Sequence, residues 1–379
     1  MKKLIVIIFL LLHLQVVYAY RADSLTWWNP AESTFPVIGG KGWQQSGVIA
    51  PYQRLPLSAQ GKVRSQVWAL SRNATGLVIR FKTNAHFFSI RYTVAGALQL
   101  PHFPATGFSG LDLYSRNSNG GWNWIPGKYA FKDTISYDYT ISDADSLRNP
   151  EREYFLYLPI YNTVKELRIG MPKGAMFTPL AADTQKPVVI YGTSITQGGC
   201  ASRPGLAWTS VMGRKLELPV VNLGFSGNGT LDKEVIGFVN ELDAGLFVLD
   251  CLGNMMDRSK FPLEEVKRRI VASVSTIRER HPSVPILMPA FAAFHKDWLT
   301  SERQQQIKEL NNAMLDTYRQ LKKEGVKYLY VLRAEDMKLG PDHTVDHGHP
   351  NDAGHLQYAE AFAKTVAAIL KKHPRAVAR

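Results

Sequence analysis

Ser194, His349 and Asp346 are the residues of this chain whose types and spacing could together do nucleophilic chemistry. A serine hydroxyl is a poor nucleophile unless a base removes its proton during attack. A histidine can be that base, and an aspartate three residues before it can orient the ring and stabilise its charged form. The sequence therefore predicts acyl transfer through Ser194, with His349 as the base and His347 as the alternative base.

Such a reaction also needs hydrogen-bond donors for the negatively charged oxygen of its tetrahedral intermediate. Gly227 and Asn254 lie in two further polar blocks, residues 222–229 and 250–254. The Gly227 N–H and the Asn254 side-chain amide could supply such donors, together with the N–H of Ser194. A glycine suits that position because the backbone can approach closely where there is no Cβ. Both residues could instead serve only as turn residues.

Each of these polar blocks follows an apolar run, and the runs indicate which elements must position the chemistry. The five runs are residues 187–191, 220–222, 246–249, 285–288 and 328–331. Runs of this kind are typical of parallel strands buried on both faces. Helical patterns lie between them, including Val266, Ile270, Val274 and Ile277. The alternation predicts a doubly wound α/β sheet, in which ligands bind beyond the carboxyl ends of the strands.

Four blocks, residues 192–199, 222–229, 250–254 and 342–352, resemble in their order those of the SGNH hydrolases, also called GDSL-like esterases and lipases. The resemblance covers residues 186–379, and it implies a flavodoxin-like parallel sheet, the three roles given above and an oxyanion hole at Ser194, Gly227 and Asn254. Two departures stand out. Thr193 replaces the aspartate of the better-known first block, and Gly253 directly precedes Asn254, whereas the commoner pattern separates the two by one residue.

The first half of the chain has a different pattern, with short alternating stretches separated by turn residues. Residues 77–81 and 87–92 are predicted to be neighbouring strands, and residues 154–158 and 164–169 another pair. Such a pattern favours an all-β sandwich or jelly roll, which we place at residues 20–175. The letters GLDLY at residues 110–114 resemble the signature of the GxDLY domain, which precedes an SGNH domain in many exported bacterial proteins.

The first residues are typical of a signal peptide, residues 1–19, because Lys2 and Lys3 precede a short apolar run and Ala19 suits a cleavage site. We therefore expect an exported protein, periplasmic or extracellular, with no membrane span after the signal is removed. In an oxidising compartment Cys200 and Cys251 could form a disulfide, which we favour over two buried free thiols.

The formal net charge of +13 comes from scattered basic residues, and no nucleic-acid-binding motif accompanies them. With 379 residues, of which 45% are hydrophobic, the chain can form two domains and is not globally disordered. A group of histidines, residues 343, 347, 349 and 355, could suggest a metal site. We expect no metal and no cofactor, because the resemblance implies none and no cysteine or paired-carboxylate pattern accompanies the histidines.

Aromatic residues after the fourth strand are candidates for the wall of the substrate pocket. These candidates are Phe291, Phe294, His295 and Trp298. They could stack on a sugar, line an acyl groove or simply pack at the domain junction.

From these patterns we expect a secreted carbohydrate O-acetyl esterase acting on an acylated polysaccharide or oligosaccharide. The alternatives are a lipase, lysophospholipase or thioesterase, an O-acetyltransferase that uses the same serine, and a glycan-binding protein with a degenerate hydrolase domain. One fold hosts many substrates, so this step rests on analogy. The sequence leaves the oligomeric state open.

Overall fold

A computed structural model describes residues 25–44, 50–117, 119–141, 152–292 and 301–374. The predicted signal peptide lies outside these ranges. Within them, no helix combines the length and the apolar character needed to cross a membrane.

The first half of the chain forms two antiparallel sheets. Its strands are β1 Leu25–Trp28, β2 Ile38–Gly39, β3 Val78–Thr83, β4 Phe87–Ala95, β5 Asp112–Arg116, β6 Trp122–Ile125, β7 Lys128–Ala130, β8 Ile135–Thr140, β9 Arg152–Tyr157, β10 Thr163–Pro172 and β11 Phe177–Pro179. One sheet has the order β1-β10-β4-β8-β7, and the other has the order β11-β3-β9-β5-β6, with β2 paired to β3. Two short helices, α1 Ser65–Ser71 and α2 Ala105–Phe108, lie outside the sheets.

The two sheets face each other across one hydrophobic core, as the predicted β-sandwich requires. Side chains alternate between buried and partly exposed along β3, so that Ile79 and Phe81 point inward. Phe81 meets Phe88 of the other sheet edge-on, with the ring centroids 5.7 Å apart. Tyr154 stacks on the same Phe81 ring at 5.4 Å. Aromatic contacts within and between the sheets therefore contribute to this core.

The predicted strands form, but the predicted pairing between them is wrong. β3 and β4 are consecutive in the chain and lie in different sheets, where β3 pairs with β9 and β4 pairs with β10. The connection at residues 84–86 carries the chain across the sandwich, and Thr83 Oγ1 accepts a hydrogen bond from the Ala85 N–H there at 3.1 Å. Alternation determines which side chains are buried, but it does not determine which strands become partners.

The second half forms a five-stranded parallel sheet covered by helices. The strands are β12 Val188–Gly192, β13 Val220–Gly224, β14 Leu246–Asp250, β15 Ile286–Pro289 and β16 Leu329–Leu332. The helices are α3 Ser194–Gln197, α4 Trp208–Leu216, α5 Lys233–Val239, α6 Leu263–Arg280, α7 Ser301–Lys323 and α8 Asp352–Lys372, with short 3-10 turns at Pro204–Leu206, Leu252–Met255, Glu335–Met337 and Pro341–His343. The strand order β13-β12-β14-β15-β16 is the flavodoxin-like order, as predicted.

Helices on both faces explain why every residue of β12 is buried. Val189 and Tyr191 point into a core that α5, α6 and α7 share. Val188 and Ile190 point the other way, into a core that α4 and α8 form. The predicted helical spacing from residue 266 to residue 277 lies on the buried face of α6.

One contact between the two halves lies near the carboxyl end of β13. Arg54 of the first half is buried there, and its Nη1 donates to the carbonyl oxygens of Asn222 and Gly224 at 3.0 and 2.7 Å. Its guanidinium also lies over the Phe225 ring, 4.9 Å from the centroid. Burial lowers the pKa of Arg54 to about 9. The strand-end carbonyls offset part of the cost of burying this group, because a buried donor needs acceptors.

The GxDLY motif lies in a second contact between the halves. Asp112 is buried, and its Oδ2 accepts hydrogen bonds from Arg203 Nη1 at 2.6 Å and from the Gly205 N–H at 2.9 Å. The same arginine nitrogen donates to the Tyr114 hydroxyl at 2.6 Å. Trp124 Nε1 donates to Asp112 Oδ1 at 2.6 Å. The motif therefore holds the segment that follows the Ser194 block.

Candidate active site

Three of the polar blocks converge because they follow adjacent strands in register. Gly192 at the end of β12 lies beside Gly224 of β13 and Asp250 of β14. The blocks also contact one another, since the Phe225 N–H donates to the Gly192 carbonyl oxygen at 2.9 Å. Gly229 leaves no room for a Cβ, which would lie 1.9 Å from that same oxygen.

Ser194 opens helix α3 directly after the end of β12. Thr193 is the N-cap, and its Oγ1 accepts a hydrogen bond from the Ile195 N–H at 3.2 Å, so the cap is the residue before the serine. The helix lasts one turn and ends at Gly198, whose φ of +100° favours glycine. The N–H groups of Gly198 and Gly199 donate hydrogen bonds to the Ser194 carbonyl oxygen at 3.1 and 2.8 Å. The serine is therefore held on a short, rigid turn.

A partly buried carboxyl ties this turn to the neighbouring strand. Thr196 Oγ1 donates to Asp250 Oδ2 at 2.6 Å. Burial raises the pKa of Asp250 to about 7, although the hydrogen bond from Thr196 acts in the opposite direction.

The structure brings Ser194, His349 and Asp346 into a continuous hydrogen-bonded chain. Ser194 Oγ lies 2.8 Å from His349 Nε2. His349 Nδ1 lies 2.8 Å from Asp346 Oδ2. The geometry requires that Nδ1 carry the proton toward the carboxylate, so that Nε2 is free to accept from the serine hydroxyl. This arrangement can take a proton from Ser194 and keep the resulting imidazolium paired.

Asp346 is held by the loop that carries the histidine. Its Oδ1 accepts from the backbone N–H groups of His349 and Gly348 at 2.7 and 3.1 Å. Burial acts to raise the pKa of this carboxyl, but those bonds and the His349 ring outweigh it and hold the pKa below its usual value. The loop closes when the Val345 N–H donates to the His349 carbonyl oxygen at 2.9 Å.

The other histidines of this region occupy different positions. His347 is exposed, on a turn where its φ is +61°. His355 is buried; its Nδ1 accepts from the Trp208 N–H at 3.3 Å, and its Nε2 therefore donates to the Gly199 carbonyl oxygen at 3.0 Å. Burial lowers the pKa of His355 to about 4. Among the described residues, no three His, Cys, Asp or Glu side chains gather as metal ligands would.

Gly227 lies in the turn after β13 with a φ of +66°, a backbone conformation that favours glycine. A Cβ on this residue would meet no described atom within 4 Å. The left-handed backbone, and not a close protein neighbour, is therefore the structural reason for a glycine here. Arg64 of the first half fixes this turn, because it donates to the Asn228 side chain and carbonyl oxygen at 2.7 and 2.8 Å.

Asn254 lies in the 3-10 turn after β14 and contacts the Gly227 turn. Its amide orientation follows from the surrounding hydrogen-bond donors. With Oδ1 toward that turn, it accepts from the Asn228 and Gly229 N–H groups at 3.1 and 3.0 Å. In this orientation Asn254 Nδ2 points away from the Gly227 turn and does not donate to it.

Of the four candidate pocket residues, Phe291 alone lies within the described ranges, and Phe294, His295 and Trp298 fall outside them. Phe291 packs against Gly253, the residue before Asn254, where a Cβ would lie 3.0 Å from the Phe291 ring. The Phe291 N–H donates to Asn311 Oδ1 at 2.8 Å, and Asn311 Nδ2 donates to the Phe291 carbonyl oxygen at 3.0 Å.

The predicted disulfide is wrong, because Cys200 and Cys251 are both free and buried. Cys251 points into the core beneath the sheet, where its Sγ lies 3.6 Å from the Tyr191 carbonyl oxygen. Cys200 lies on the segment after the serine turn, with a φ of +70°. Burial raises the pKa of both thiols. Two buried thiols in an apolar setting are the alternative that the sequence left open.

The first half also supplies two residues at this centre that the sequence patterns did not indicate. The Tyr161 hydroxyl donates to the Ser194 carbonyl oxygen at 3.4 Å. The ring of His102 lies 6.1 Å from the ring of His349, centroid to centroid. Both residues come from loops between strands, and no spacing in the sequence connects those loops to the four blocks.

A cavity of about 660 Å³ lies away from this centre. It opens between the β-sandwich and the amino ends of β12 and β13, where Pro187 and Val220 line it. Ligands of doubly wound sheets bind at the opposite, carboxyl edge. The geometry of the four blocks, and not the size of this cavity, locates the candidate site.

Two family models match the chain. One describes a GDSL-like lipase/acylhydrolase family and matches residues 185–367, and the other describes the N-terminus of SGNH-hydrolase-type esterases, GxDLY, and matches residues 25–177. This chain carries a GDSL-like lipase/acylhydrolase domain. A GxDLY domain precedes it in the chain.

Solved structures share this two-part fold. A protein of Bacteroides ovatus ATCC 8483 described as a GDSL-like lipase is 29% identical, with a TM-score of 0.81, over 92% of this chain and 98% of that one. A salicylyl-acyltransferase of a tetracycline biosynthetic pathway is 20% identical, with a TM-score of 0.70, over 91% and 98%. A carbohydrate esterase family 2 enzyme of Corynascus thermopiles is 15% identical, with a TM-score of 0.56, over 78% and 94%. No curated protein matches this chain in sequence.

Proposed function

We propose that this protein is a serine ester hydrolase that removes a short acyl group, acetyl, from a polysaccharide or oligosaccharide. One observation carries the hydrolytic part of the proposal. Ser194 Oγ, the His349 ring and the Asp346 carboxylate form a hydrogen-bonded chain with two 2.8 Å contacts. These are the distances that a nucleophile, its base and the group that orients the base require.

In the proposed reaction, Ser194 Oγ attacks the ester carbonyl carbon while His349 Nε2 takes the hydroxyl proton. The tetrahedral intermediate collapses when its C–O bond to the alcohol breaks, and the imidazolium returns the proton to the leaving oxygen. Water then attacks the acyl-serine by the same route and releases the acid. Asp346 stays ionised throughout, in keeping with a pKa below its usual value.

The oxyanion is stabilised by the N–H groups of Ser194 and Gly227 and by Asn254 Nδ2. Two features support this assignment. Gly227 has no side chain that could cover its own N–H, and the Oδ1 of Asn254 is occupied by backbone donors. Donors fixed in this way need no reorganisation when charge develops, and each contributes on the order of 3 kcal/mol to lowering the barrier.

Two lines of support favour an acetylated carbohydrate. A carbohydrate esterase family 2 enzyme shares the fold, although fold alone does not fix a substrate. Phe291 packs against Gly253, the residue before Asn254, and we propose that its ring limits the space for the acyl chain. We further propose that residues 1–19 direct export, where such a substrate would be met.

The experiment is hydrolysis of p-nitrophenyl acetate, butyrate and octanoate, with Ser194→Ala alongside, followed by release of acetate from acetylated glycans. We expect turnover that falls with chain length and disappears in the variant. Faster turnover of octanoate would favour a lipase, lysophospholipase or thioesterase. Glycan binding without turnover of any ester would favour a non-catalytic binding protein.

Acyl transfer is a second candidate, because a salicylyl-acyltransferase shares the fold over 91% of this chain. The same acyl-serine would then be attacked by an acceptor hydroxyl in place of water. Adding a sugar acceptor to the p-nitrophenyl acetate assay distinguishes the two. Acylated sugar exceeding free acetate would identify a transferase.

A further inference from the structure

We infer that the β-sandwich domain supplies a binding site for the alcohol portion of the ester, with His102 as its hydrogen-bonding group. This inference rests on the proposed function, and it assigns that domain a role in substrate binding at the same site. The observation that motivates it is the 6.1 Å between the ring centroids of His102 and His349, whose planes are tilted by 36°.

The turn that carries His102 is rigid. Leu100 and Phe103 exchange two backbone hydrogen bonds of 3.0 Å, which close a turn with Pro101 and His102 at its tip. Proline at the first of the two tip positions fixes the backbone of such a turn in advance. The imidazole is therefore presented on a preorganised support.

Phe103 anchors the turn beside the segment that carries Ser194. Its ring is buried and lies 5.1 Å from the Tyr161 ring, in a small core that includes Ala201. The next helix continues the contact, since Thr106 Oγ1 donates to the Ser202 carbonyl oxygen at 2.7 Å. These contacts fix the position of His102 relative to the serine turn.

The His102 ring is also accessible and uncommitted. It is exposed, and none of the residues that the structure describes hydrogen-bonds to its ring nitrogens. An imidazole can donate from one nitrogen and accept at the other, which suits hydroxyl groups that do both.

The reaction sequence then indicates which part of the ester lies near His102. The leaving oxygen takes its proton from His349 Nε2, so the alcohol departs beside that ring. The oxyanion is proposed to lie against Gly227 and Asn254, so the acyl group is directed away from the His349 ring. A sugar joined through the leaving oxygen would extend toward the first domain and meet His102.

The test compares two acetyl esters of primary alcohols: 6-O-acetylglucose, whose alcohol carries further hydroxyls, and ethyl acetate, whose alcohol carries none. His102→Ala should lower kcat/KM for the sugar ester by about three- to tenfold, the value of one hydrogen bond, mainly through KM. For ethyl acetate, the kcat/KM of His102→Ala should stay within about twofold of the wild-type value. His102→Gln, which keeps a donor and an acceptor, should recover part of the loss. His86→Ala, at another exposed histidine of the same domain, is the matched control.

Equal loss on both esters would overturn the inference, because it would mean that His102 acts through His349 or through folding; melting temperatures separate these two causes. An unchanged kcat/KM for 6-O-acetylglucose in His102→Ala would also overturn it and would leave the proposed function intact. Hydrolysis of p-nitrophenyl acetate without hydrolysis of 6-O-acetylglucose or any acetylated glycan by the wild-type protein would overturn the carbohydrate proposal and this inference together.

Discussion

Replacing Asn254 by aspartate should abolish most of the activity while leaving the fold in place. Asn254 is the member of the proposed oxyanion hole whose sequence context departs most from the common pattern, since Gly253 directly precedes it. An aspartate has nearly the same shape as asparagine, and its Oδ1 could still accept from the Asn228 and Gly229 N–H groups, at 3.1 and 3.0 Å in the wild type. Its second oxygen, however, would replace the Nδ2 donor with negative charge.

The expected magnitude follows from these contacts. Loss of one oxyanion donor lowers kcat by about 10²- to 10³-fold, and a carboxylate facing the oxyanion should cost at least as much. The Asn228 and Gly229 N–H groups also reach the Phe225 carbonyl oxygen, at 2.8 and 2.9 Å, so the turn keeps an acceptor even in Asn254→Ala. Asn254→Ala should therefore cost only about 1 kcal/mol of stability, and Asn254→Asp less.

The assay is steady-state hydrolysis of p-nitrophenyl acetate by the wild type, Asn254→Ala and Asn254→Asp, with the melting temperature of each. Both variants should lose kcat and kcat/KM by similar factors, because the donor acts only in the transition state. If Asn254→Asp kept more than about a tenth of the wild-type kcat, a drop far smaller than loss of one oxyanion donor causes, Asn254 would be only a turn residue and the oxyanion assignment would be refuted.

Three further predictions concern pH, the domain contact and the thiols. Because the pKa of His355 falls from 6.5 to about 4 on folding, its contribution to stability is complete above pH 6.5 and is lost as the pH falls toward 4. His355→Gln should flatten that part of a stability–pH curve, and an unchanged slope would contradict the burial argument. Asp112→Ala leaves Arg203 without its buried carboxylate and should cost about 3 kcal/mol in denaturant unfolding, whereas a loss below 1 kcal/mol would mean that this contact is not structural. Dithiothreitol should not lower the melting temperature, and thiol titration of the unfolded, unreduced protein should find both Cys200 and Cys251; a titre of zero would restore the disulfide.

The parallel sheet could be predicted from sequence because its strands are buried on both faces and read as uninterrupted apolar runs. All five runs became strands within two residues of their predicted bounds, and the flavodoxin-like order followed from the resemblance. In the sandwich, alternation predicted the strands around residues 78–83 and 87–95 but not their partners. Strand pairing depends on contacts between residues that are distant in sequence.

The site could be predicted only where it belongs to the second half. Ser194, His349 and Asp346 were predicted from their types, their spacing and the resemblance to the SGNH hydrolases, and the structure brings them together, while their roles stay predictions. His102 and Tyr161 could not be predicted, because their proximity to Ser194 results from packing between the halves. The disulfide was predicted only from the expected oxidising compartment and from the presence of two cysteines. Neither determines the direction in which a thiol points.

The most direct test of the central claim is mass-spectrometric mapping of the protein after reaction with a fluorophosphonate, which labels activated serine nucleophiles. We predict one adduct, on the peptide that contains Ser194, with none in Ser194→Ala and slower labelling in His349→Ala. An adduct on another residue, together with full ester hydrolysis by Ser194→Ala, would contradict the account.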